Sequence, residues 1–555
     1  MYDQKNYSVL FSRRKVEPKP DQVVIFPSRS EWNDFGFHIW CEFIVWSDRG
    51  SQEGALALDG EILIGFLPPA ESSSTERKEF FDNRTSLISF FEKSDSETYE
   101  PEDLPPFYSM IPNMEGYRIV VDHFGTEEAG YFLKSVNDLV VYKEGKDEWI
   151  NKAFETEVFN RGFMRNSEQF FAFHNADSVL EGLEAERFDD ISSSLDLSFS
   201  LDHFENDHNL NFRFSSEGLV PRRINILIGK NGIGKSLALN RFCRAALQYV
   251  DKDVKLVDAG NSEGRPLISR LLAVATPGET TNTFPSERKK SQKLFYRRLN
   301  LTRGSRSKRT RSIPDALVQL ARKDESIGRN SRWSLFIKAL EKSLPLDSVV
   351  LAEKSGEFTS LKSIGPTGGE QDNLDRWSRL DPKSEPRIKV SGQIHPLSSG
   401  QLTFLKFVLL CCLYIENGSF VLMDEPETHL HPNMISDFVD VLDYLLENTG
   451  SQAILATHSA YFVREIPSEQ VHVLREIEPG FVSIDHPRLK TFGATIDSIS
   501  QFVFGDDVET KLADKVFNHM KGKRFEDFDE QLSDEVSLVA LMGLRRRLES
   551  ENEET

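Results

Sequence analysis

The chain has 555 residues, a formal net charge of −21, a pI near 5.2 and four cysteines. That length calls for two or three domains, and the acidity excludes a general nucleic-acid or anionic-membrane coat, because such a surface repels phosphates. Cys41, Cys243, Cys411 and Cys412 make neither a C-x-x-C pair nor a disulfide framework, no apolar stretch reaches the length of a membrane span, and the first residues do not open a signal peptide. A soluble protein of a reducing cytoplasm, with no membrane partner, is the expectation.

In chain order, residues 37–46, 61–67, 117–121 and 138–142 read as strands, with an acidic, proline-containing loop over 94–106. Residues 1–190 are therefore expected to form a mixed α/β accessory module. Its aromatic cluster (Trp32, Phe35, Phe37, Trp40, Phe43, Trp46) suits a partner-binding surface, while the alternation of Phe35, Phe37 and Ile39 suits a core face. From about residue 195, Leu197-Ser198-Phe199-Ser200-Leu201 and Leu210-Asn211-Phe212-Arg213-Phe214 alternate apolar with polar, as short antiparallel strands do.

Next, Ile224-Asn225-Ile226-Leu227-Ile228 reads as a buried strand and residues 237–242 as a helix. Between them Gly229-Lys230-Asn231-Gly232-Ile233-Gly234-Lys235-Ser236 fits G-x-x-x-x-G-K-[ST] without a mismatch. A glycine turn from strand to helix puts backbone N–H groups around a triphosphate at the positive end of the helix dipole. Gly229, Asn231, Gly232, Gly234, Lys235, Ser236 and Leu237 are thus the expected nucleotide-binding residues, with Lys235 on the β/γ-phosphates and Ser236 on Mg²⁺. The apolar runs 271–275, 420–423 and 453–456, set between helical segments, read as parallel strands covered on both faces, so the fold class is α/β.

Between those runs, residues 288–311 hold eleven basic residues and no acid. Arg297, Arg298, Arg306, Lys308 and Arg309 are the candidate contacts for nucleic acid or for an acidic partner, with Phe295 and Tyr296 available to stack on a base; a solvated loop is the other reading. Farther on, Phe420-Val421-Leu422-Met423-Asp424-Glu425 is a strand ending in two carboxylates, which suits Asp424 as a Mg²⁺ ligand and Glu425 as the base for water. His429 and His431 make an H-x-H pair with no third ligand in view. Asp527 and Asp529 have D-x-D spacing, but they lie in a charged segment of what reads as a helical tail, residues 491–555.

Leu397-Ser398-Ser399-Gly400-Gln401 resembles the L-S-G-G-Q signature of ATP-binding-cassette ATPases, departing only at its third position. The resemblance implies an ABC-type P-loop ATPase head over about 191–490: a mixed sheet with flanking helices, an antiparallel β subdomain and a helical, basic lid inserted at about 280–395. It further implies that Ser398, Ser399, Gly400 and Gln401 act in trans, so that two heads face each other across two ATPs. Glu427-Thr428-His429-Leu430 takes the D-loop position, and Thr457-His458-Ser459 supplies His458 as the γ-phosphate switch. A Q-loop glutamine should follow residue 275, but the chain reads Thr276-Pro277-Gly278-Glu279-Thr280, leaving Glu279 or Thr280 in its place.

The wording Asp424-Glu425-Pro426-Glu427-Thr428-His429-Leu430-His431-Pro432 is similar to the branch holding RecF, structural-maintenance heads and overcoming-lysogenization-defect ATPases. The stretches 491–500 and 502–505 are similar to the tails of Septu-type defence ATPases, including those beside retron reverse transcriptases. What these imply is a head-to-head dimer or higher homo-oligomer that binds ATP and Mg²⁺. It would control an effector nuclease in antiphage defence, with nucleic acid or a reverse transcriptase complex as further partners. A RecF-like DNA-repair ATPase is the rival reading; transporter energisation fits less well.

Overall fold

A computed structural model describes residues 7–28, 37–47, 56–68, 86–143, 145, 147–182, 191–249, 253–261, 264–275, 283–287, 294–301, 312–323, 326–327, 330–428, 430–504, 511–520, 536, 541–542 and 545–546. At the centre is a seven-stranded sheet. Its strands, in chain order, are β1 (Ile224–Gly229), β2 (Arg270–Ala275), β3 (Phe295–Asn300), β4 (Phe420–Asp424), β5 (Gln452–Thr457), β6 (Val471–Glu478) and β7 (Phe481–Asp485). They lie in the order β3-β2-β4-β5-β1-β6-β7, all parallel to their neighbours except the last pair.

The runs β1, β4 and β5 are apolar at nearly every position because both faces are covered. Ile224, Ile226, Ile228, Val421, Met423 and Leu455 pack toward one core with the helices Ser399–Tyr414 and Pro432–Thr449. Leu227, Phe420, Leu422 and Ile454 pack toward another, which holds the helix Lys235–Ala246 and an antiparallel sheet of Val254–Asp258, Ser194–Phe199 and His208–Arg213. Each such side chain contributes about 1.5–3 kcal/mol by leaving water, so the sheet is a rigid floor for whatever its carboxyl ends carry.

The N-terminal region builds a core of its own. A six-stranded sheet runs Thr98–Tyr99, Ser8–Ser12, Gln22–Pro27, Trp40–Ser47, Leu56–Phe66, Phe107–Met110, parallel only between Ser8–Ser12 and Gln22–Pro27. Phe37, Ile39 and Phe43 are buried in it, whereas Trp32 and Phe35 lie outside the described residues. Two expected strands are helical instead. Residues 117–121 sit inside the helix Met114–Ser135, whose first turn is fixed by the Asn113 side chain accepting from the Gly116 N–H. Residues 138–142 form the helix Leu139–Tyr142 behind Asp138, whose carboxylate accepts from the Val140 N–H. Short β-branched runs are apolar all round in either state, so the capping side chains decide. The acidic stretch 94–106 is not wholly loop, since Thr98–Tyr99 pairs with the sheet edge.

The region expected as a lid also differs. Residues 295–300 are β3, the edge of the central sheet, so Arg297 and Arg298 stand on a strand. Tyr296 is buried and donates its hydroxyl to the Pro285 carbonyl, and Phe295 packs on the core beneath the Arg270 guanidinium; neither ring is free for a base. Beyond it come the helices Ile313–Arg322, Arg332–Glu341 and Glu370–Arg379 together with a four-stranded antiparallel sheet. Arg306, Lys308 and Arg309 lie outside the described residues.

Candidate ATP site

Strand β1 ends against β6, and there the glycine pattern acquires its reason. A Cβ on Gly229 would stand 2.3 Å from the Leu474 carbonyl oxygen. Gly232 and Gly234 have φ of 83° and 104°, a region that L side chains rarely enter. Gly234 is the N-cap of the helix Lys235–Ala246, so the first free N–H groups of that helix face the loop. The loop is braced from below by His208 of the antiparallel sheet, whose Nε2 lies 3.2 Å from the Ile233 carbonyl. Lys230, Asn231 and Gly232 remain exposed, as does Leu237.

Lys235 is buried, and its Nζ donates to the carbonyls of Gly229 (2.9 Å) and Lys230 (3.1 Å). Burial lowers its pKa to about 8, while Glu425, Asp424 and Glu427 pull it back up. Ser236 Oγ donates to Asp424 Oδ1 at 2.9 Å, so the helix start and the end of β4 meet through these two side chains. The Asp424 carboxyl is raised by burial, an effect its two hydroxyl donors oppose. A hydroxyl and a buried carboxylate that already touch are a hard-oxygen donor set suited to Mg²⁺. The residues present fit that ion.

Glu425 has a φ of 48°, a strained value for a non-glycine, held by its N–H donating to the Ala456 carbonyl on β5. The twist carries its carboxylate to 3.4 Å from His458 Nε2, while the other ring nitrogen of His458 lies 3.4 Å from Lys235 Nζ. Burial first, then the Lys235 charge, lower the His458 pKa and keep the ring neutral. Glu427 Oε1 accepts from both the Thr457 hydroxyl and the His458 N–H, each at 2.8 Å, and so ties the turn after β4 to the end of β5. Lys235, Ser236, Asp424, Glu425 and His458 are thereby in one cluster.

The signature residues open the helix Ser399–Tyr414 through a capping box: Ser398 Oγ accepts from the Gln401 N–H, and Gln401 Oε1 accepts from the Ser398 N–H. Ser398 and Ser399 are exposed and Gly400 is buried. His431 caps the next helix by accepting from the Asn433 N–H, His429 lies outside the described residues, and among the described residues no three His, Cys, Asp or Glu side chains gather as a metal cluster. Glu279, Thr280, Asp527 and Asp529 also lie outside them. Thr283, just past that undescribed stretch, donates to Asp424 Oδ2 at 2.8 Å. It belongs to no motif, so only the fold reveals it. A cleft of about 790 Å³ opens beside the loop, lined by His203, Phe204, Asn231, Arg475 and Phe502.

Residues 372–464, which span the signature and His458, match a family described as "AAA domain, putative AbiEii toxin, Type IV TA system". The chain is 23% identical over 510 residues to protein ea59 of Escherichia phage lambda, covering 88% of this chain and 87% of that one. Similar solved structures include an SMC head bound to the C-winged helix domain of ScpA (13% identity, TM-score 0.29, 54% of this chain and 98% of that one). Another is the SMC head domain from Thermotoga maritima (14%, 0.25, 53% and 99%). A third is an ATP-binding cassette of an ABC transporter in its ADP conformation (12%, 0.26, 57% and 95%). The central sheet, with its glycine loop between β1 and the helix Lys235–Ala246 and its acid at the end of β4, is an α/β fold of the P-loop kind. Among the described residues no helix is long and apolar enough to cross a membrane.

Proposed function

We propose that the chain hydrolyses ATP in a head-to-head dimer and that closing and opening of the dimer govern a partner effector, a nuclease of a bacterial antiphage system being the reading we favour. The contact between Ser236 and Asp424, with Glu425 and Lys235 on either side of His458, carries the catalytic part. Lys235 would exchange its two loop carbonyls for β- and γ-phosphate oxygens. Ser236 and Asp424 would hold Mg²⁺, which when bound neutralises charge on those phosphates. Glu425 takes the proton of the attacking water, and the neutral His458 ring orients the water and the γ-phosphate. The nucleoside end has room in the cleft lined by Phe204 and Phe502. The exposed Ser398 and Ser399 and the free N–H groups of their helix suit the γ-phosphate of a facing chain. A link to toxin–antitoxin systems in the matched family's description favours an ATPase that restrains or releases an effector.

Glu425→Gln tests this reading directly. The variant keeps ATP affinity, loses hydrolysis by about 10²–10⁴-fold and accumulates as a dimer with ATP on a sizing column. Hydrolysis at the unmutated rate removes Glu425 as base.

A further inference from the structure

Both oxygens of the Asp424 carboxylate are held by hydroxyls, Oδ1 by Ser236 and Oδ2 by Thr283. Thr283 is itself fixed, because its carbonyl accepts from Asn240 Nδ2 at 2.8 Å on the helix that begins with Lys235. Two residues on, the Pro285 carbonyl accepts from the Tyr296 hydroxyl of β3 at 2.9 Å. Two further on, Glu287 Oε1 accepts from the Arg298 N–H at 2.6 Å and its other oxygen lies 3.6 Å from the Arg297 guanidinium. The segment is thus tied at one end to the acid of β4 and at the other to the sheet edge.

We propose that Thr283 is the positioning residue for Asp424, and that residues 283–287 form a strut braced on β3 that fixes the carboxylate for a divalent cation. The proposal rests on the reading of Asp424 as the cation's carboxylate. A carboxylate with one hydrogen bond still turns about its Cβ–Cγ bond. Donors on both oxygens remove that freedom, so the lone pairs facing Ser236 are aimed before the ion arrives and less entropy is lost on binding. Thr283 is suited to this because its β-branched side chain has few rotamers. A merely structural Thr283 would stabilise the segment without affecting the ion.

The test is a titration of the full chain with a non-hydrolysable ATP analogue, first in EDTA and then at stepped Mg²⁺. Thr283→Val keeps the shape and removes the donor. It should bind the analogue in EDTA as the unmutated protein does, while the Mg²⁺ needed for half-maximal tightening rises about ten- to a hundredfold. Thr283→Ser, which keeps the hydroxyl, should need nearly the unmutated concentration, and Glu287→Ala, which frees the brace, should fall between. An unchanged Mg²⁺ requirement in Thr283→Val overturns the proposal. Should that variant fail to fold, Glu287→Ala decides alone, and no rise in it overturns the strut. If Mg²⁺ does not tighten binding even in the unmutated protein, the fault lies in the reading of Asp424.

Discussion

Lys235 carries the largest electrostatic conflict of the site. It is a buried cation whose pKa lies near 8, resting on two carbonyls and facing three carboxylates. A triphosphate arriving at the loop brings more negative charge and must raise that pKa, so ATP binding is coupled to proton uptake once the free amine begins to lose its proton. Through this lysine, affinity is flat below about pH 8 and falls above it, where each ATP must bring a proton with it. Calorimetric titrations at about pH 8.5, in buffers of different ionisation enthalpy, should show an uptake approaching one proton. Lys235→Ala should abolish that uptake and weaken ATP about ten- to a hundredfold, as expected for loss of a charge-assisted hydrogen bond. Uptake that persists in the variant would place the titrating group elsewhere.

At the scale of elements, the signature helix Ser399–Tyr414 joins two environments. Its N-terminus is exposed at Ser398, and just past its other end Glu416 is buried between Arg118 of the N-terminal region (2.8 Å) and Arg332 of the insertion (3.0 Å). Arg332 also donates to the carbonyls of Cys412 and Ile415, closing the helix. Burial alone would raise the Glu416 carboxyl, but Arg118, Arg332 and Arg270 outweigh it and hold the pKa at about 2. The stability this ion cluster supplies is therefore complete above the ordinary carboxylate range and is lost as pH falls toward 2. Arg118→Ala should cost about 3 kcal/mol in denaturant unfolding at neutral pH and move the acid limb to higher pH; an unchanged acid limb would show that Arg118 does not hold the charge.

This cluster is not legible in the sequence, because its members Arg118, Arg270, Arg332 and Glu416 come from four distant segments and none stands in a motif. The glycine turn after β1 and the acids at the end of β4 are legible for the opposite reason. Each sits within a short strand-and-turn pattern whose chemistry is local. Residues 117–121 and 138–142 are ambiguous in sequence because a buried helix and a buried strand share an apolar run, and Arg297 and Arg298 are ambiguous because charge on an edge strand resembles charge on a loop.

For the whole molecule, the central question is where a complete catalytic site exists. Lys235, Ser236, Asp424, Glu425 and His458 gather at the carboxyl ends of β1, β4 and β5, while Ser398, an exposed residue, caps a helix of the same chain. In the dimer we propose, each site takes the loop of one chain and the signature of the other. A chain carrying Lys235→Ala keeps a good signature, and one carrying Ser398→Arg keeps a good loop; either alone should be inactive. A twofold-symmetric pair of the two has one intact site and one doubly damaged site, so equal mixing should restore about a quarter of the unmutated rate per chain. Recovery should follow subunit exchange in time. No recovery on mixing, with each variant folded and the Ser398→Arg chain still binding ATP, would mean that the signature does not serve a neighbouring chain.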